Sequence, residues 1–246
     1  MDQRLPLKPH TQICFEGTAY RIEEVIGQGS NAIVYKGWYA DRLNPEQRHY
    51  VLIKELFPYH PQGEIYRDAD NTIVVTPDAR AHWDVHKESF LAGNEVHLRL
   101  LKDHPDMVGD NLNSFRTNGT LYSILGYSGG RSLQNALNAA GHDLRWYARM
   151  MQRLLDALEA FHKSGYLHLD ISPDNIMLVG TGENERIFLI DFNSVYAMGS
   201  QTRMYLSRKA GYSAPEVELG DCDGIGMPSD LYSVAAVFYR CLMGRT

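Results

Sequence analysis

The sequence predicts an α+β protein in two parts, a β-rich first half and a mainly helical second half. Residues 20–26 alternate apolar and polar side chains, as strands do, and residues 50–56 form a further β-rich run. From about residue 144 onwards, apolar side chains recur at the spacing of a helix. The last segment, 229–244, is apolar nearly all round, as buried helices are. We place the hinge between the two halves near residues 126–130.

Each half is predicted to contain a defined order of elements. The first half has a hairpin with a glycine-bearing turn, a third strand, a second hairpin, a long helix and a further strand, at residues 20–39, 50–56, 65–75, 81–101 and 120–127. The second half has a helix, two short strands around a turn, and the final apolar helix, at residues 144–165, 175–180, 186–191 and 229–244.

Composition limits the classes of partner. The 246 residues carry a net charge of −6, from 24 basic and 30 acidic side chains, so we expect no broad basic surface for nucleic acid. The three cysteines, Cys14, Cys222 and Cys241, form no Cys-x-x-Cys pair, which favours a reducing cytoplasm over a disulfide framework or a zinc site. No apolar run of about 18 residues is present, so we expect no membrane segment in this chain.

Two features of the first half point to an anion. Gly27 and Gly29 lie between two predicted strands, where missing side chains let backbone N–H groups approach phosphate oxygens. Taken alone, two such glycines are more often just a turn. Lys54 follows three apolar residues on a predicted strand, and its ammonium would suit a phosphate. The alternative is an edge-strand lysine that extends to solvent.

The strongest signal is the run His168-Leu169-Asp170-Ile171-Ser172-Pro173-Asp174-Asn175, followed later by Asp191-Phe192-Asn193. Asp170 and Asn175 lie in one loop, and Asp191 ends a neighbouring strand, so the three oxygen-bearing side chains can converge. Magnesium prefers such ligands, and phosphoryl transfer needs a carboxylate to orient the attacking hydroxyl. The alternative is a capped loop whose acidic residues have no common role. The presence of both the 168–175 run and the 191–193 run at this spacing disfavours that alternative.

In order and sequence, these motifs resemble those of the eukaryotic-like (Hanks-type) protein kinases, from about Tyr20 to the C-terminus. Ala214-Pro215-Glu216 matches the end of the activation segment in that family. Ser229–Ser233 matches the start of the buried helix whose aspartate braces the catalytic loop. The hairpin at 65–75 is similar to an insert of bacterial serine/threonine kinases.

The resemblance implies a bilobal protein-kinase-like fold, with an N-lobe at 1–126 and a partial C-lobe at 127–246. It implies ATP and Mg²⁺ as cofactors. Lys54 would hold the α- and β-phosphates and pair with a glutamate of the long helix, for which Glu95 is the best candidate and Glu88 the rival. The residues implied around the nucleotide are Ile26, Gly27, Gly29, Val34, Leu52, Lys54, Leu125, Tyr127 and Met177.

The same resemblance assigns roles in the second half. Asp170 would be the catalytic carboxylate, and Asn175 and Asp191 would hold Mg²⁺. The implied reaction is transfer of the ATP γ-phosphoryl group to serine or threonine hydroxyls of protein substrates. The backbone of the hinge, Gly126–Ser128, would hydrogen-bond adenine.

Several residues depart from the family pattern, and four of the departures bear on the chemistry of the site. Leu52 replaces a small alanine above adenine, and its bulk could tighten or tilt the nucleotide. Leu169 replaces the arginine that pairs with a phosphorylated activation loop, so we expect no switching of that kind. Ser172 replaces a lysine that contacts the transferred phosphate, which removes a stabilising cation. Asn193 replaces a glycine, and asparagine tolerates positive φ best among the other residues.

The chain ends at Thr246, where the buried helix of the family finishes. Two interpretations stay open, a piece of a longer polypeptide or a genuinely short C-lobe. The helices that usually follow in this family, including the one with the arginine that pairs with Glu216, are not part of these 246 residues.

Two other functions compete with an active protein kinase. A pseudokinase, which binds ATP or acts as a scaffold without transfer, is suggested by Leu52, Ser172 and Asn193. A small-molecule kinase of the aminoglycoside-phosphotransferase type would share the catalytic loop. That class lacks the glycine-rich hairpin and the Ala-Pro-Glu segment found here.

Overall fold

Strands dominate the first part of the protein in its computed structural model, which describes residues 2–139, 141–200 and 206–244. The elements of this part are β1 Gln12–Phe15, β2 Thr18–Gln28, β3 Ala32–Ala40, β4 Arg48–Leu56, β5 Ile65–Arg67, β6 Ile73–Val75, α1 Arg80–Asp103, β7 Asn111–Thr117 and β8 Thr120–Gly126. Six strands form one antiparallel sheet in the order β1-β2-β3-β4-β8-β7, and β5 pairs with β6 as a separate hairpin. The predicted hairpins and the long helix are confirmed, whereas β1 and β7 were not predicted.

The second part contains more helix, with short strands between. Its elements are β9 Arg131–Ser132, α2 Leu133–Asn138, α3 Leu144–Lys163, β10 Tyr166–Leu167, β11 Ile176–Val179, β12 Arg186–Leu189, β13 Tyr196–Ala197, α4 Pro215–Leu219 and α5 Met227–Met243. The predicted β11–β12 hairpin is confirmed. The long helix α3 begins at Asp143, whose side chain accepts a hydrogen bond from the Trp146 N–H at 2.8 Å.

The chain divides into two compact units, Met1–Leu91 with Asp110–Tyr127, and Ala92–Gly109 with Ser128–Thr246. This division differs from the predicted N-lobe, 1–126, because the second half of α1 and the loop after it belong with the second unit. Val96 and Leu100 of α1 share a core with side chains of α3 and β12. Residues 140, 201–205 and 245–246 of the predicted C-lobe lie outside the described residues.

Helix α5 is buried on one face. Val234 and Val237 lie in the core of the second unit together with side chains of α3. The sequence suggested burial nearly all round, but apolar side chains on the other face are exposed, namely Met227, Leu231, Tyr232, Tyr239, Leu242 and Met243. No helix in the described part of the chain is long and apolar enough to cross a membrane.

The core of the first unit contains a buried ion pair. The Glu55 carboxylate on β4 is fully buried and lies 2.5 Å from the Arg67 guanidinium on β5, which is 4% exposed. The hydroxyls of Tyr35 and Tyr122 both donate to this carboxylate at 2.7 Å. Burial, and then the negative charge of Glu55, raises the pKa of each tyrosine above its ordinary value. This network ties the β5–β6 hairpin to the strand that carries Lys54.

Replacing Arg67 with leucine would leave the Glu55 carboxylate buried without its cation. We expect the free energy of unfolding to fall by about 3–5 kcal/mol, measured by chemical denaturation. Arg80→Leu is the matched control, because Arg80 pairs with Asp84 at 3.6 Å on the exposed surface of α1. Its loss should cost less than about 1 kcal/mol. Equal stability of the two variants would contradict a structural role for the buried pair.

Candidate active site

The predicted catalytic loop is held by a buried carboxylate from α5. Asp230 is completely buried, and its two carboxylate oxygens accept hydrogen bonds from the backbone N–H groups of His168 at 2.9 Å and Leu169 at 2.8 Å. The His162 ring contacts the same carboxylate at 2.8 Å. Leu169 has a φ of 57°, a left-handed conformation that is costly for a leucine. The Asp230 contacts offset that cost, and the expected brace is confirmed.

Within this loop, Asp170 and Asn175 are tied together. The Asn175 amide donates to the backbone carbonyl of Asp170 at 2.8 Å, and Asn175 is buried. The Asp170 backbone N–H donates to Nδ1 of His168 at 3.3 Å. Burial lowers the pKa of His168 below its ordinary value, so its ring is suited to accept this hydrogen bond while neutral. The loop therefore presents Asp170 from a fixed backbone.

Asp191 follows β12 in a left-handed conformation, with a φ of 66°. Its side chain accepts from the Asn193 N–H at 3.4 Å, which closes a short turn. The turn was expected to survive with asparagine in place of glycine, and the structure contains it. Its left-handed residue is Asp191 itself, and not Asn193.

Phe192, the next residue, packs against the second half of α1. The centre of its ring lies 4.9 Å from the ring of His97 and 5.8 Å from that of Phe161. A Cβ on Gly93 would lie 2.6 Å from the Phe192 carbonyl oxygen, so this close approach requires glycine. His97 and Gly93 were not singled out from the sequence, since neither belongs to a motif.

The environment of Asp170 raises its pKa to about 7. The largest cause is burial, and the negative charge of Asp191 adds to it. The positive charge of Lys209 and hydrogen bonds from Asn175 and Ser207 act in the opposite direction. Two carboxylates are therefore close enough to disfavour each other's charge.

This donor set fits a magnesium ion that is bound together with a phosphate ligand. A cation held by Asp191 would weaken the repulsion between its carboxylate and that of Asp170, and Asn175 offers an amide oxygen on the catalytic loop. In the described ranges, no group of three or more His, Cys, Asp or Glu side chains could hold a metal by itself. Magnesium typically keeps water and substrate phosphates among its ligands, so a full protein cage is not required.

Four predicted nucleotide-binding residues share one face of the six-stranded sheet. Val34 lies opposite Lys54 across the β3–β4 pair, and Leu52 lies opposite Leu125 across the β4–β8 pair. Leu52 and Lys54 are two residues apart, so their side chains point the same way. All four are partly exposed, whereas Ile53 between them is fully buried on the core side.

The turn between β2 and β3 has a partner that sequence reasoning missed. The Arg4 guanidinium, which is buried, donates to the carbonyls of Gly29 at 2.6 Å and Ser30 at 3.3 Å, and also to that of Phe57. Asp2 holds the same guanidinium at 2.5 Å. The N-terminal segment therefore fixes the backbone of the glycine-bearing turn, and no pattern in the sequence marks Arg4 for this role.

The other predicted residues of the first unit lie around this sheet face. Gly27 pairs with Val34 in the β2–β3 ladder, while Ile26 and Tyr127 are exposed. The Lys54 ammonium lies 5.7 Å from the centre of the Phe90 ring.

Of three further predicted residues, one lies on β11 and two lie on α1. Met177, in the second unit, is partly exposed on β11 and pairs with Ser132. Glu95, the predicted partner of Lys54, is 77% exposed, and its carboxylate lies 3.7 Å from the Arg99 guanidinium. Glu88 is exposed as well. The pairing of Lys54 with either glutamate stays a prediction.

The activation segment is held by contacts that do not involve phosphate. Leu169 is buried in a small apolar cluster with Leu167, Ala214 and Val217, against which Tyr196, Met198, Leu206 and Ile225 pack. Glu216 accepts a hydrogen bond from the Ser229 hydroxyl at 2.5 Å.

A lysine of the same segment reaches the catalytic loop. The Lys209 ammonium donates to the Ser172 hydroxyl at 2.9 Å and to the Asp174 carboxylate at 2.7 Å. No motif in the sequence marks Lys209, because it lies outside the catalytic motif and 37 residues from Ser172.

A β-sheet unit with a glycine-bearing hairpin and a lysine, followed by a helical unit with a braced Asp-Asn loop and a second aspartate, defines the protein-kinase-like fold class. The chain belongs to the protein kinase family, since the family described as "Protein kinase domain" matches residues 64–246.

Similar proteins agree with this assignment. Serine/threonine-protein kinase PknJ of Mycobacterium tuberculosis is 29% identical over 230 residues, which cover 92% of this chain and 34% of that protein. Probable serine/threonine-protein kinase 2 of Plasmodium falciparum is 29% identical over 134 residues, which cover 54% of this chain and 26% of that protein. This chain thus spans about a third or less of the length of these relatives.

The solved structure described as "PpkA-294 apo form" shares the fold, with a TM-score of 0.70 and 24% sequence identity. The alignment covers 98% of this chain and 79% of that one.

Replacing Asp230 with asparagine would keep its size but present an N–H group to a backbone N–H donor. We expect the free energy of unfolding to fall by about 2–3 kcal/mol, measured by chemical denaturation. The control is Asp156→Asn, because Asp156 is exposed on α3 and accepts a hydrogen bond from the neighbouring Gln152 side chain at 2.9 Å. Wild-type stability of the Asp230 variant would show that the carboxylate does not hold the loop.

Proposed function

We propose that this chain is an active ATP-dependent protein kinase that phosphorylates serine or threonine hydroxyls of protein substrates. The observation that carries the proposal is the braced catalytic loop, in which Asp170 and Asn175 are joined at 2.8 Å and lie near Asp191. The names of the relatives, which describe serine/threonine-protein kinases, support the acceptor class.

Asp170 is proposed to orient the acceptor hydroxyl and to take its proton as the oxygen attacks the γ-phosphorus. The bond from that phosphorus to the bridging oxygen breaks, and ADP leaves. Because Asp170 rests on a backbone fixed by Asp230, its carboxylate needs little rearrangement to meet the hydroxyl.

ATP and magnesium are the proposed cofactors. Lys54 would contact the α- and β-phosphates, and Val34, Leu52 and Leu125 would contact the adenine nucleoside from the same sheet face. Asn175 and Asp191 would hold magnesium, which neutralises phosphate charge when it is bound.

Leu169 supports activity that does not depend on a phosphorylated activation loop. In its place, the family carries an arginine that pairs with such a phosphate. Here the side chain packs with Ala214 and Val217. The apolar contacts hold the segment from the same loop position without an added charge.

Asp170→Asn tests the catalytic role directly. With Mg-ATP and a generic protein substrate, we expect the rate of γ-phosphate incorporation to fall at least about 10²-fold, while thermal stabilisation by Mg-ATP persists. Asp156→Asn, on the surface of α3, should retain the wild-type rate.

The wild type decides between the competing functions in the same assay. Stabilisation by Mg-ATP without transfer to itself or to other proteins would favour a pseudokinase. Transfer to an aminoglycoside but to no protein would favour a small-molecule kinase.

Protein made together with a phosphatase, and shown by intact mass to carry no phosphate, tests the role of Leu169. We expect substrate phosphorylation to begin at its full rate, because the activation segment is held by apolar contacts. A lag that disappears after preincubation with Mg-ATP would contradict phosphate-independent activity.

A further inference from the structure

The activation segment delivers a lysine to the position where the catalytic loop lacks one. Ser172, which replaces the lysine of related kinases, is fully buried, and its hydroxyl accepts from the Lys209 ammonium at 2.9 Å. The Asp174 carboxylate accepts from the same ammonium at 2.7 Å. The activation segment thus supplies an ammonium at the point where the resemblance implies one from the catalytic loop.

The backbone of Lys209 is fixed on both sides. Its N–H donates to the Ser213 hydroxyl at 2.7 Å, and its carbonyl accepts from the N–H groups of Tyr212 at 2.9 Å and Ser213 at 3.0 Å. Only the side chain therefore needs to be ordered for the ammonium to reach Ser172. Its charge is close enough to lower the pKa of Asp170.

We propose that Lys209 supplies, from the activation segment, the positive charge that contacts the γ-phosphoryl group during transfer. The inference rests on the proposed kinase function and deepens it. It also explains how Ser172 can replace the lysine of related kinases while a positive charge stays at the site.

The ammonium has the donors that this role needs. It carries three N–H bonds, and the contacts with Ser172 and Asp174 use two of them within the part of the chain that the structure describes. The third is then available for an oxygen of the γ-phosphate. During transfer, Lys209 keeps its protons and stabilises negative charge on that oxygen, while Asp170 takes the proton of the hydroxyl.

Three substitutions of Lys209 separate the effect of its positive charge from the effect of its hydrogen bonds to Ser172 and Asp174. Lys209→Gln can still donate to Ser172 and Asp174 but has no charge, Lys209→Arg keeps the charge, and Lys209→Met keeps neither. We expect kcat for a generic protein substrate to fall about 10²-fold or more in the glutamine and methionine variants, with little change in the KM for ATP. The arginine variant should retain most of the activity.

The exchange variant, Ser172→Lys with Lys209→Ser, tests the same idea by rescue. Its kcat should exceed that of either single variant, because the ammonium returns to the site from the other element. Lys163→Gln is the matched control, since Lys163 forms an equally short ion pair, 2.8 Å, with Glu159 on the exposed surface of α3. It should behave as wild type.

The outcomes are distinct. A Lys209→Gln variant with wild-type kcat would show that Lys209 is only an anchor, and would overturn this inference while leaving the kinase function in place. An effect confined to the KM for the protein substrate would overturn it in the same way. If wild type transfers no phosphate, the proposed function fails and this inference fails with it. Thermal unfolding of each variant identifies those that do not fold. If the glutamine and methionine variants do not fold, the kcat values of the arginine and exchange variants test the inference.

Discussion

The carboxylate of Asp230 is the contact on which the candidate site depends. It joins α5 to a loop about sixty residues earlier through two backbone N–H groups, and it holds Leu169 in a left-handed conformation. Asp170 and Ser172 follow directly in the chain, so their positions depend on this contact. Since α5 is itself anchored through the core that it shares with α3, the accuracy of the site depends on long-range packing.

The departures from the family pattern in this region are matched by neighbouring contacts. Leu169 replaces a phosphate-binding arginine and packs in an apolar cluster. Ser172 replaces a lysine and receives the ammonium of Lys209. Each change therefore alters the chemistry of a contact while the contact itself is kept.

Local signals predicted much of the fold. Alternation along β2, the β-rich sequences of β3 and β4, and helical spacing along α3 predicted these elements, because each follows from its own side chains. Strands β1 and β7 were missed, since their sequences, Gln-Ile-Cys-Phe and Asn-Leu-Asn-Ser-Phe-Arg-Thr, are short or largely polar. The catalytic loop was recognisable because its residues are close in sequence. The contacts of Arg4 and Lys209 were not, because each joins segments whose approach depends on the folded loops.

The contact between Ser172 and Lys209 bears on how sequences of this family are classified. If only the motif residues of the catalytic loop are compared, this chain lacks one positive charge. It would then be classed with kinases that have lost a catalytic residue. The charge stands instead 37 residues further along, in a segment that such a comparison ignores. Whether a member of the family has lost a catalytic group should therefore be judged from the residues that are close in space, and not from one sequence motif alone.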